Sequence, residues 1–321
     1  MKEFPSVIPE YVASPREVVP PVATGLTIGG WEIKVLPQER IFTQRNIEEG
    51  LSVINRWSQV FPKEETFVQK TYGIPSLIVR LDCSVQNGTL GIYEVEERPA
   101  GIGLTTHLNT DFKTRLEAIK NKWPVFKSVV STDPRRKATD DHLWIEPYNP
   151  RDNNELVLVR AEPEEVEYHD FEPRSVSSLK KKGDKSYGEA LGLWKKITDP
   201  DEIDFSKGCV VKPLQGSKTR DIFIFIPVPG SKRPPGASSS NRIREAVLAG
   251  SKAGGVYCQP FFPPMESGIS DEFKWMIYRV FFGYNTDTGQ WECLGGSWNA
   301  RYNLKIHGAG DSLSGPVVLE K

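Results

Sequence analysis

Apolar residues at Ile47, Leu51, Ile54 and Trp57 recur at three- and four-residue steps, which predicts an amphipathic helix over residues 47–61. The pattern then changes. The β-branched run 76–81 reads as a strand, Asn87-Gly88 as a tight hairpin turn, and 89–96 as the return strand. A helix is expected over 111–122, short strands over 144–147 and 156–161, and a short helix over 189–196. Strands follow at 208–213, 221–227, 255–262, 275–283 and 291–298, and a helix capped by Ser240 or Asn241 turns Ile243, Val247 and Leu248 inward. Pro5, Pro9, Pro15, Pro20 and Pro21 make residues 1–30 an extended arm. An acidic stretch over 162–172 and then Lys180-Lys181-Lys182 mark a solvated connection, dividing the remainder into lobes 31–160 and 161–321.

The hairpin carries the most informative chemistry. Asp82 ends its first strand, and Glu94 and Glu96, two apart on the second, leave one face. Three carboxylates on one face repel unless a hard divalent cation or a cationic substrate lies between them. Asp82, Glu94 and Glu96 are therefore candidate Mg²⁺ ligands, with Arg80 and Arg98 flanking them for phosphoryl oxygens. A plain solvent-facing acidic strand pair has the same alternation.

Lys212 leaves an apolar strand just before Gln215-Gly216-Ser217, a turn whose backbone N–H groups suit a phosphate. A lysine at a strand edge is the simpler alternative. Neither G-x-x-x-x-G-K-[ST] nor a post-strand G-x-G-x-x-G is present. The strand 255–262 is interrupted at Gln259 and Pro260. Such a break exposes backbone groups that an adenine edge can pair with, although a core strand fits the same residues. Asn299, Arg301, Asn303, Lys305 and His307 alternate along one stretch, as either a solvated edge or an anion-binding wall.

Composition narrows the class. With 41 Lys+Arg against 42 Asp+Glu the net charge is −1, which argues against a nucleic-acid binder. A mean hydropathy of −0.41 and the lack of a long apolar run argue against a membrane protein, and the N-terminus lacks the apolar core of a signal peptide. Cys83, Cys209, Cys258 and Cys293 form no C-x-x-C pair, so a reducing, cytoplasmic setting and a mixed α/β chain are expected.

In their order, these segments resemble the circularly permuted ATP-grasp ligases, nearest the synthetase domain of glutathionylspermidine synthases. Arg80-Leu81-Asp82 stands where that family has Arg-x-Asp, and Glu94 follows Asp82 at its twelve-residue interval. Glu96 replaces the family's Asn. The resemblance implies an α+β ATP-grasp fold, with antiparallel sheets and flanking helices forming two lobes that clasp ATP. It implies Mg²⁺ on Asp82, Glu94 and Glu96, phosphates on Lys185 and Lys212, and a lid at Gln215, Gly216 and Ser217. It further implies adenine on the strand of Tyr257 and Gln259, and Arg80 and Arg301 at the reacting phosphoryl group. The implied reaction joins a small-molecule or peptide carboxylate to an amine through an acyl-phosphate. An inactive nucleotide-binding or interaction protein and a phosphotransferase on the same scaffold are the alternatives.

Overall fold

The computed structural model describes residues 24–28, 31–124, 126–130, 140, 144–147, 156–159, 171–179, 185–214, 222–227, 233–306 and 311–321. In chain order, β1 (Thr24–Ile28), β2 (Trp31–Val35) and β3 (Arg40–Phe42) precede α1 (Gln44–Val60) and α2 (Phe67–Tyr72). The hairpin β4 (Ile78–Gln86) and β5 (Thr89–Glu96) leads to α3 (Ile102–Leu108) and α4 (Thr110–Lys120). Then come β6 (Phe126–Val130), β7 (Glu146–Pro147), β8 (Leu156–Val159), α5 (Ser186–Ala190) and β9 (Lys195–Ile197). The chain continues through β10 (Cys209–Pro213), β11 (Phe223–Phe225), α6 (Ser240–Ser251) and β12 (Val256–Pro260). It closes with β13 (Met265–Glu266), β14 (Trp275–Asn285), β15 (Gln290–Arg301) and β16 (Leu313–Leu319).

Among the described residues these form a mixed α+β structure dominated by antiparallel pairing. The largest sheet has nine strands, along the path β1-β2-β16-β15-β14-β4-β5, with β13 and β3 attached to β14 and β16. A four-stranded antiparallel sheet is ordered β11-β10-β12-β9, and β7-β6-β8 is a small parallel sheet. Helix α1 begins three residues earlier than the apolar spacing predicts, because Thr43 caps it by accepting from Asn46 N. It lies close on one face of the large sheet at Gly50, where a Cβ would stand 2.8 Å from the Phe282 ring. Helix α4 covers Phe281 on the opposite face, and Asn109 at its N-cap bonds the carbonyls of Gly296 and Val317. Helix α6 packs Ile243 and Val247 on the back of the four-stranded sheet, against Cys209 and Val211.

Several expectations are corrected. The extended arm does not reach residue 30, since 24–28 pair along their length with β2; residues 1–23 lie outside the described residues. The lobe division at residue 160 does not follow the sheets, because β4 pairs with β14 and the hairpin therefore shares one sheet with the C-terminal strands. The helix expected at 189–196 is α5, which stops at Ala190 before Gly192 in the left-handed region, and residues 195–197 are the edge strand β9. Leu248 is exposed rather than inward. No helix among the described residues is long and apolar enough to cross a membrane.

Candidate functional site

Asn87 and Gly88 both take positive φ (51° and 74°), the geometry of a two-residue hairpin turn whose twist suits the flanking strands. That turn sets the register. Arg80 faces Glu96 and Asp82 faces Glu94, so four charged side chains leave one face of the large sheet. The pairing then skips Tyr93, and this bulge aims the Tyr93 carbonyl away from the ladder. Lys212 of β10 reaches across from the smaller sheet and donates to it at 2.6 Å. Gln259 of β12 makes the same crossing, donating Nε2 to the Ile92 carbonyl and accepting from Lys212 Nζ at 2.8 Å.

The two sheets thus face each other over a cleft of about 220 Å³. Its charged lining comes mainly from Arg80, Asp82, Glu94, Glu96, Lys185, Lys212 and Arg279. Val210, Ile222, Ile224, Phe261, Leu304 and Ile306 supply apolar lining. One margin is strapped by the chain following β12: Ser84 Oγ and Gln86 Nε2 donate to the Pro263 carbonyl, and Tyr93 Oη donates to that of Phe262.

Every carboxylate here already has a protein cation. Arg80 holds Asp82 through Nε (2.6 Å) and Nη2 (3.1 Å), holds Glu96 at 2.5 Å, and donates Nη1 to the Ala100 carbonyl. Lys185 Nζ holds Glu94 Oε1 at 3.1 Å. Among the described residues, no three His, Cys, Asp or Glu side chains are grouped to hold a metal ion. The expected repulsion between Asp82, Glu94 and Glu96 is therefore relieved by arginine and lysine. Of the three, Glu94 is the least committed: its side chain is 37% exposed and only Oε1 is engaged.

Burial would push the Glu94 carboxyl up, yet Lys185 and Lys212 beside it hold it below its ordinary value. Burial pushes Glu97 up to about 7 against the opposing pull of Arg98. Burial also pulls Lys212 down to about 7, with Glu94 resisting and Lys185 assisting. A lysine poised near neutrality gains its charge fully when an anion arrives beside it.

The remaining expected residues are placed as follows. Lys185 and Lys212 converge although 27 residues separate them in sequence (212 − 185), while Gln215, Gly216, Ser217 and His307 lie outside the described residues. Tyr257 packs behind the cleft beside Trp194, with ring centroids 6.1 Å apart, and does not line it. Strand β12 is interior, paired with β10 on one side and with β9 on the other over Val256–Cys258; there its backbone is not laid open for an adenine edge. Arg301 ends β15 and is bonded to the Lys305 carbonyl and to Asp311; it borders the cleft through Lys305 without lining it. The strand stops there, so the alternation from 299 to 307 does not make one wall; Lys305 reaches the cleft from the following bend. Arg98 turns into the core toward Glu97.

Sequence reasoning missed Arg279, which enters from β14, and Trp194, which lies under Lys212 with its ring 4.6 Å from Nζ and donates Nε1 to the Lys185 carbonyl. An isolated Trp-Lys pair downstream of a short helix was the only sequence signal for the latter. No family model matches this chain, and no curated protein is similar to it at the level of sequence.

Proposed function

We propose that this cleft binds ATP with Mg²⁺ and that the protein is an ATP-grasp ligase joining a carboxylate to an amine. The observation that carries the reading is the clasp itself. Two largely antiparallel sheets close over one cleft, Lys185 and Lys212 stand beside the Arg80–Asp82–Glu94 hairpin, and apolar side chains that could take a base share the lining. In this reading the base lies among Val210, Ile224 and Leu304 rather than on the backbone at Tyr257. Lys185 and Lys212 take the phosphates, and Arg80 neutralises charge building on the transferred phosphoryl group, a task of positioning and electrostatics. Carboxylate oxygens are the donors Mg²⁺ prefers, and Glu94 has an oxygen to give. Glu96 in place of Asn is committed to Arg80.

The test is the thermal midpoint with and without Mg²⁺-ATP, on the wild type, Lys212→Ala and Asp82→Asn. A ligand at about a hundred times its dissociation constant adds roughly 2.7 kcal/mol. A magnesium-dependent rise that both substitutions erase supports the reading, and no rise with any nucleotide ends it. The carboxylates' engagement with Arg80 favours one second reading, a nucleotide-binding protein without turnover. Binding without ADP release across a panel of acids and amines would identify that case.

A further inference from the structure

Charges in the cleft do not cancel residue by residue. Arg80 is paired twice and Lys185 once, whereas Arg279 has, among the described residues, only one long ion pair, with the Asp82 that Arg80 already holds. It stands on β14 directly opposite Asp82 of β4 and Ser297 of β15. Its Nε is buried without a hydrogen-bond partner, and the nearest carboxylate oxygen, Asp82 Oδ2, is 3.7 Å away and already bonded by Arg80. On its other side Gly296 of β15 lies so close that any side chain there would strike the Arg279 carbonyl. Burial and the like charge of Arg80 push the guanidinium below the usual arginine range, against the opposing pull of Asp82, Glu96 and Glu94. A buried charge without a matched partner costs stability in the empty protein. The planar, two-donor head fits a carboxylate through parallel bonds.

We propose that Arg279 is the docking point for a carboxylate group of the substrate, held one strand away from Arg80 on the floor of the cleft. The proposal rests on the ligase reading for the reaction that this carboxylate undergoes, while the anion site itself is read from the side chains around Arg279. The same unmatched charge makes Arg279 a specificity element: an uncharged analogue of the acid would leave the guanidinium buried and unanswered.

Two measurements on the full chain, both without nucleotide, test it. Arg279→Met keeps the aliphatic bulk and removes the unmatched charge, so its melting midpoint is expected at or above that of the wild type; Arg80→Met, which strands Asp82 and Glu96, melts lower. Succinate serves as the probe ligand. It is expected to raise the wild-type midpoint saturably, and Arg279→Met and Arg279→Gln should weaken its apparent affinity by about tenfold or more, as loss of a charge-assisted pair implies. An Arg279→Met protein melting several degrees below wild type makes the residue structural and overturns the proposal. So does a succinate response that is missing from the wild type or that survives the substitution. Inorganic phosphate is the comparator, and an equal, Arg279-dependent response to phosphate removes the claim for a carboxylate. The Mg²⁺-ATP shift is read separately on the same samples: its absence beside an intact succinate response ends the ligase reading and leaves the carboxylate site standing.

Discussion

Lys212 should make the empty protein's stability depend on pH in a way that a single substitution removes. Its ammonium is buried, 5% exposed, and its proton is held at about 7 in the fold against an ordinary 10.5. Between those values the unfolded chain carries a proton that the native chain has released, so wild-type stability rises with pH. One proton corresponds to about 1.4 kcal/mol per pH unit, so the gain between pH 7 and 9 is about 2–3 kcal/mol. For a chain of 321 residues that is about 3–4 °C in melting midpoint. Below pH 7 both states hold the proton and the buried charge has its full cost. Lys212→Met has no such slope. It also strips donors from the Tyr93 carbonyl and Gln259, which adds an offset independent of pH. The assay is urea unfolding of both proteins from pH 6 to 9, plotted as their difference. A difference flat across that range would refute the reasoning. Phosphates arriving at Nζ would restore the charge, so above pH 7 nucleotide binding should take up a proton, seen as a heat that changes with the buffer's ionisation enthalpy.

Trp194→Leu removes both the ring beneath Lys212 and the N–H bond to the Lys185 carbonyl, and should weaken Mg²⁺-ATP binding by about threefold to tenfold, from the size of a partly buried cation–π contact. In a Lys212→Ala background the same change should cost little more, because a double-mutant cycle reports the shared path. Gly188→Ala should act like a milder Trp194 variant, since its methyl group would collide with the indole; unchanged near-ultraviolet circular dichroism and affinity would count against this. Glu97, held at about 7 against an ordinary 4.5, gives a slope of the opposite sign. The native chain keeps a proton that the unfolded chain loses, so stability falls by about 1.4 kcal/mol per unit between pH 4.5 and 7, and Glu97→Gln should flatten that fall in urea titrations.

The hairpin was legible because everything that defines it is local. Asn87-Gly88 accepts the positive φ that the turn needs, and alternation then puts Arg80, Asp82, Glu94 and Glu96 on one face without reference to the rest of the chain. Lys212 was legible for a similar reason, as a cation at the end of an apolar strand. The expected metal cluster differed from the structure because sequence spacing counts carboxylates and does not show what stands between them. Arg80 sits in the middle of that group and Lys185 comes from 91 residues away. Strand lengths and ends were read less well, since β14 and β15 continue past their apolar cores for as long as each has the other to bond.

By itself the sequence determined the local chemistry: a charged hairpin, two lysines ahead of turns, and antiparallel strands with helices among them. It did so because turn preferences and side-chain periods act over a few residues. Only the tertiary structure decided which of these groups share a site. Pairing of β4 with β14 brings Arg279 to Asp82 across a separation of 197 residues (279 − 82). Facing of the two sheets brings Lys212 to the carbonyl of Tyr93 across 119 residues. Arg301, which matched by order alone, stands at the end of its strand behind Lys305, bonded to Asp311. Long-range pairing is set by the sum of buried contacts over whole sheets, and no window of neighbouring residues contains that sum.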